Sequence, residues 1–493
     1  MMLRFLRSLT ALALAGLAVA GPTLPVEAQS DFLSDILLPE SQERQLAEQE
    51  HPKILAQFGG EYDDPELSRY VQSLVDFLGA TSARPDIKYR ITILNSPIVN
   101  AFALPAGYLY VTRGLLALAD NEAELAGVLA HEIGHVTARH TAQRFSRTML
   151  TQGLVGLLGA VTQGSQLEGL ANVVQPAAMV ALQSFSREHE HEADLLGVET
   201  MSRAGFDPYA MASFLAKLES KSNLDARLKG QQANGGGQMD LFSTHPRTAD
   251  RVRRTASQAA GRQVRDPMAE RELYLDKISG LLYGDDPEQG FVRGQLFAHP
   301  QLDIRFEVPQ GFALLNGQRE VIAQGPQGAL IRFDRAPEAQ TDNPVAYLRD
   351  AWAQGAALQD LRDLNVNGFP AGTGAFRLDS QGQLVDLRLL AVRTAPRTIY
   401  RFLFAAPAAN AQGLSATFQQ TANSFGRLSS AERRELRPFR LNTYRVRAGD
   451  TVDSLARRLP YATLQVERFR VLNGLAPNDQ LRTGQLVKLI AAN

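Results

Sequence analysis

The chain has 493 residues, 44% of them hydrophobic and 21% charged, with a formal net charge of -1 at pH 7. That length predicts about three domains, and the balance excludes bulk disorder and any global field that would draw in nucleic acid. Cysteine is absent, which excludes disulfide scaffolds, thiolate metal sites, cysteine nucleophiles and a lipoprotein anchor.

At the N-terminus, Arg4 and Arg7 precede an apolar run from Leu9 to Ala20. The run is too short to span a membrane, and Val26-Glu27-Ala28 fits a small-residue cleavage site. Residues 1–28 therefore read as a cleavable secretory signal, with export to a bacterial periplasm, a compartment that suits a cysteine-free chain.

Residues 29–60 are polar and helix-prone. Over 62–85, Leu67, Tyr70, Val71, Leu74, Val75 and Leu78 recur at helical spacing. Tyr89 to Leu94 alternates like a strand, and 101–112 reads as a hairpin turned by Pro105-Ala106-Gly107. A long helix is predicted over 121–145, with Asp120 or Asn121 as its cap and Glu124 completing a capping box. Residues 150–183 are apolar but interrupted by Gln152, Gln163, Gly164, Gln166, Glu168 and Gln175. A lid or groove-covering helix pair fits them better than a membrane span. Helices follow at 184–203 and 207–222, then a Gly-rich loop at 231–238 and helix again over 246–283. These close a first domain, 29–285. From 291 to 428, β-like runs at Asp303–Val308, Ala329–Phe333, Leu384–Val392 and Thr398–Phe404 alternate with turns and two helical stretches, an α+β domain. A polar linker, 429–442, leads to a last module at 443–493.

Six of the eight histidines lie between His131 and His245. The first two form His131-Glu132-Ile133-Gly134-His135, an HExxH motif in a predicted helix. Residues four apart share a helix face, so two imidazoles converge on one ion, while Glu132 is placed to act as general base on a water rather than as a ligand. Gly134 suggests close packing. A catalytic zinc needs a third protein ligand, and the metzincin pattern fails because Ala138 and Thr141 stand where Gly and His are needed. The next candidate is the run from Ser186 to Asp194, with Gly197 beyond. Glu190 and Asp194 share a helix face. Glu190 can supply a carboxylate, and Asp194 can hold a ligand imidazole by hydrogen bonding its other N–H. Glu188 and Glu192 are rivals to Glu190 that spacing alone does not exclude. His189 and His191 read as solvated, and His140 as structural or surface.

The HEIGH motif, the EHEAD segment with its following Gly, Ser243-Thr-His-Pro246 and Arg251 together resemble the CAAX-prenyl-protease-type zinc metallopeptidases, gluzincin enzymes. The similarity is greatest to their soluble periplasmic bacterial members, which act in outer-membrane protein quality control. Asn100 to Tyr108 and Val111 to Gly114 are similar to the segment before that family's zinc helix. The resemblance covers roughly residues 45–260. It implies one Zn²⁺ per chain held by His131, His135 and Glu190, with Glu132 as catalytic base and Asp194 in support. It also implies a site role for His245, as a resting fourth ligand or an oxyanion stabiliser; the alternative is a loop histidine before a helix-starting Pro246. The strand at Ala101–Ala103 is either a substrate-binding edge or ordinary core sheet. Periplasmic relatives carry a helical-repeat domain after the protease. Here the α+β domain follows, weakly similar to PsbP-like domains at Val308 to Phe312 and Ala406-Pro407.

Tyr444 to Ala456, Leu472 to Leu475 and Leu481 to Leu486 resemble a LysM domain, a βααβ fold that implies a peptidoglycan ligand. The expected fold is thus α+β and multidomain: a mainly helical zincin-type domain with a small sheet, an α+β domain and a LysM-like module. The expected function is a zinc metalloendopeptidase of unfolded or misassembled envelope proteins, with peptidoglycan as a further expected partner through 443–493, no nucleic-acid partner and no membrane span in the mature chain. The rival readings are a peptidoglycan cross-link hydrolase and a chaperone or scaffold with a gated zinc site.

Overall fold

The computed structural model describes residues 39–145, 184–228, Leu241, His245 and 249–492 except 318, 338, 381 and 382. The expected signal, the whole lid-like stretch 150–183 and the Gly-rich loop lie outside the described residues.

The first unit begins with helices α1 (Glu40–Gln57) and α2 (Pro65–Thr81). Asp64 caps α2 by accepting from the Leu67 N–H, and Leu67, Val71, Leu74, Val75 and Leu78 are buried, as their spacing requires. A small sheet follows: β1 (Arg90–Leu94), β2 (Ala101–Leu104) and β3 (Tyr108–Thr112), in the order β1-β3-β2. The turn between β2 and β3 uses Pro105, with Ala106 at φ 59° and Gly107 at φ 82°. The short α3 (Arg113–Leu118) leads to α4 (Glu122–Thr137). The cap of α4 is Asn121, which accepts from the Glu124 N–H, while the Glu124 carboxylate reaches back to the N–H of Asp120.

The helix expected to run to 145 is interrupted at Ala138 and Arg139. Arg139 adopts φ 57°, and its guanidinium pairs with Glu43 of α1 at 2.7 Å before helix resumes at 140–145. Then come α5 (Arg187–Ala204), α6 (Tyr209–Leu228), α7 (Ala249–Ala260) and α8 (Arg271–Lys277). The expected single helix over 246–283 is therefore two, ending in a strand, β4 (Leu282–Tyr283). Pro267 between them lacks a backbone donor and ends any continuous helix there.

The second unit holds a three-stranded sheet, β5 (Phe291–Arg293), β6 (Leu296–His299) and β7 (Ile304–Glu307). Beside it lies a seven-stranded antiparallel sheet built from β8 (Ala313–Asn316), β9 (Glu320–Gln324), β10 (Leu330–Arg335), β11 (Gln359–Val366), β12 (Phe369–Ser380), β13 (Gln383–Ala395) and β14 (Thr398–Pro407). Its order is β11-β12-β13-β14-β10-β9-β8, and Leu414 and Phe418 of α9 (Ala408–Ser424) join one buried cluster with Phe306 of β7, Phe333 of β10, Phe402 of β14 and Phe425. The stretch read as a polar linker is ordered: Ser429 and Glu432 form a capping box that starts α10 (Ser430–Glu435).

The last module is βααβ: β15 (Phe439–Arg445), α11 (Val452–Ala456), α12 (Gln465–Leu472) and β16 (Leu486–Ala492). It does not stand apart. β15 pairs with β4, and one apolar cluster runs from Val71 and Leu125 through Ile133 to Leu455, Phe469, Val487 and Ile490. The whole is a multidomain α+β chain. No described helix is long and apolar enough to cross a membrane.

Candidate metal centre

Helices α4 and α5 come together because two glycines let their backbones meet. A Cβ at Gly134 would lie 2.9 Å from the Ala193 carbonyl oxygen, and one at Gly197 would lie 3.1 Å from the His131 nitrogen. This contact faces Glu190 of α5 onto the two imidazoles of α4. His131 Nε2 and His135 Nε2 are 3.1 Å apart, and Glu190 Oε1 lies 3.3 Å from His135 Nε2. His245 completes the group: its Nδ1 is 2.8 Å from Glu190 Oε1 and 3.2 Å from His131 Nε2. Donor atoms of His131, His135, Glu190 and His245 all lie within 4.8 Å of one another, and all four residues are buried.

The supporting groups are equally specific. Asp194 Oδ1 faces His131 Nδ1 at 2.9 Å, a spacing that suits an N–H donor and leaves Nε2 free to bind. Arg251 of α7 donates to both Asp194 oxygens, at 2.7 and 2.8 Å, and its Nη1 lies 2.6 Å from Glu190 Oε2. Phe185 stacks on the His135 ring at 3.8 Å. Glu132 is buried beside the group. Neither of its oxygens nor His245 Nε2 has a hydrogen-bond partner among the described residues, although Oε1 and Nε2 face each other at 3.3 Å.

The charges are set by these neighbours. Burial pushes the Glu190 carboxyl up, but His245 and Arg251 outweigh it and hold the group well below the usual carboxylate range. Burial opposes the charged form of Asp194 too, and Arg251 again wins. Burial drives His135 well below its ordinary value, so the ring is neutral and able to donate a lone pair. Burial would lower His245, but the Glu190 and Glu132 carboxylates raise it.

All six residues expected at the site meet here. Of the rivals, Glu188 is exposed, and Glu192 is exposed with Oε2 3.1 Å from His140 Nε2. His189 stacks on His140 at 4.1 Å, and His191 lies 2.6 Å from Arg254 Nη1. His140 is buried, with Nδ1 3.1 Å from His135 Nδ1, so it orients that ring. The His135–His140 contact carries no spacing signal, and Arg251 entered the resemblance without a role, so its bridge to Asp194 and Glu190 was not legible in the sequence. β2 pairs with β3 alone among the described strands, and its four residues are buried.

A buried set of imidazoles and one carboxylate, with unpartnered oxygens beside it, fits a divalent ion of borderline softness. His131, His135 and Glu190 could hold such an ion, with His245 as a fourth donor.

Comparison with known proteins agrees with this geometry. Residues 62–259 match the family model of Peptidase family M48, and residues 444–489 match that of the LysM domain. The beta-barrel assembly-enhancing protease of Yersinia pestis is 29% identical over 333 residues, 59% of this chain and 66% of that one. The protein of that name from Escherichia coli (strain K12) is 30% identical over 225 residues, 44% of each chain. The mitochondrial metalloendopeptidase OMA1 of Schizosaccharomyces pombe is 30% identical over 217 residues, 43% of this chain and 59% of that one. The chain thus spans between 44% and 66% of the length of these curated relatives.

Proposed function

We propose that this chain, whose residues 62–259 match Peptidase family M48, is a zinc-dependent endopeptidase of the bacterial periplasm that hydrolyses unfolded or misassembled envelope proteins. The observation that carries the reading is the convergence of His131, His135, Glu190 and His245 within 4.8 Å, with Glu132 alongside. When bound, a zinc ion would supply Lewis acidity to a water and to a scissile carbonyl. Glu132 takes the proton of the attacking water and passes it to the leaving amine. Asp194 fixes the tautomer and tilt of His131. Arg251 holds Asp194 and Glu190 ionised in a buried setting. His245 closes the donor set in this arrangement, and its withdrawal opens a place for water or substrate. Among the described strands β2 pairs on one side only, and its other edge would take an extended peptide through main-chain hydrogen bonds.

The substrate class rests on the names of the Yersinia and Escherichia relatives, and export rests on the signal-like N-terminus. The LysM match favours retention near peptidoglycan. Digestion of an unfolded protein and of purified sacculi, each with wild type and Glu132→Gln, tests the reading. Loss of protein digestion in Glu132→Gln is expected. Digestion of sacculi alone favours a cross-link hydrolase, and equal holdase activity without proteolysis favours a scaffold.

A further inference from the structure

The strand Leu486-Val-Lys-Leu-Ile490 carries a charge where an apolar residue would be expected. Lys488 is fully buried in the interface between the last module and the first unit. Asn473 fixes its backbone, accepting from the Lys488 N–H and donating to its carbonyl. Its ammonium donates to the carbonyls of Ala117, Leu118 and Ala119, at 2.9, 2.9 and 2.7 Å, and pairs with Asp120 at 2.9 Å. Those carbonyls are the ones the end of α3 leaves without intrahelical partners, where a cation is favourable. Asp120 is the residue just before the Asn121 cap of α4. Lys217 of α6 also pairs with Asp120, and with Glu124 at 2.9 Å. Arg271 donates to the Asp120 carbonyl.

Helix α4 is thus held at its first turn by this network and further along by α5, where Gly197 and Ala193 approach His131 and Gly134. The first-turn network sets where the helix begins, upstream of His131 and Glu132. We propose that Lys488 is a positioning residue for the candidate metal centre, setting where α4 begins and so how His131 and Glu132 face Glu190. The C-terminal module then completes the peptidase unit rather than only tethering it. This rests on the metal-site reading given above, but half of its test does not need that reading.

The test uses the full chain as wild type, Lys488→Met and Arg445→Gln. Arg445 contributes an exposed inter-module pair with Glu272 of α8. Amide hydrogen exchange over residues 117–127 and zinc affinity by chelator competition are measured well below the unfolding temperature. Lys488→Met is expected to speed exchange in that segment and to weaken zinc binding roughly tenfold, with Arg445→Gln like wild type. Unchanged exchange over 117–127, or the same change in both variants, overturns the proposal. If Lys488→Met does not fold, Asp120→Asn replaces it with the same two expectations. A wild type that binds no zinc sinks the metal-site reading, and the exchange arm still decides whether Lys488 fixes the start of α4.

Discussion

Two carboxylates flank the imidazole cluster, and their neighbours give them different tasks. Glu190 sits among His245, Arg251 and His135, which keep it ionised, the state in which a carboxylate can bind a cation. Glu132 has no hydrogen-bond partner on either oxygen among the described residues, so it is free to handle a proton. Glu132→Gln is expected to lower hydrolysis of an unfolded protein by about 10²–10⁴-fold while metal content, read by mass spectrometry of the purified chain, stays the same. Arg251 is buried between two carboxylates, and Arg251→Met leaves both without their partner. A loss of about 3–5 kcal/mol is expected in urea unfolding. The HExxH pair and the Glu190–Asp194 face were legible because helical spacing alone puts them together. Spacing alone did not choose Glu190 over Glu188 and Glu192; the family resemblance implied that choice, and α5 buries Glu190 while leaving both rivals exposed. Arg251 acts on a partner 57 positions away, and no local pattern marks such a contact.

At the level of elements, the site depends on how closely α4 and α5 approach. Gly134→Ala would push a methyl to 2.9 Å from the Ala193 carbonyl oxygen. A destabilisation of about 1–3 kcal/mol is expected, together with weaker metal binding, since the helices that carry His135 and Glu190 must part. Thermal melts with and without added zinc measure both effects. A Gly134→Ala chain with unchanged melting in both conditions would show that the contact is not a constraint. The periodicity of α2, the β2–β3 hairpin and the start of α4 were readable from apolar spacing, Pro105-Ala106-Gly107 and Asn121. The break at Arg139 was not, because the tertiary pair with Glu43 ends a stretch whose local preference is helical throughout.

Across the whole molecule, the C-terminal module shares a core with the first unit, and its buried charges make the assembly sensitive to acid. Burial opposes the ionised form of Asp120, but Lys488, Lys217 and Arg271 outweigh it and bring the group down to about 2. Burial weighs more at Lys488, which is lowered to about 8. A carboxyl with a depressed folded value contributes stability above its unfolded value near 3.8, and that contribution is lost as pH falls toward 2. The melting temperature of wild type is therefore expected to drop more steeply between pH 4 and pH 2 than that of Asp120→Asn. Parallel curves would remove Asp120 from the acid response. This docking was not visible in the sequence, where 443–493 reads as a separate module behind a linker. The metal site remains the claim on which the enzyme reading depends. Zinc loading followed by gel filtration and metal analysis should give one zinc per wild-type chain and almost none for Glu190→Ala. A folded Glu190→Ala chain that keeps a full equivalent, or a wild type that keeps none, would contradict it.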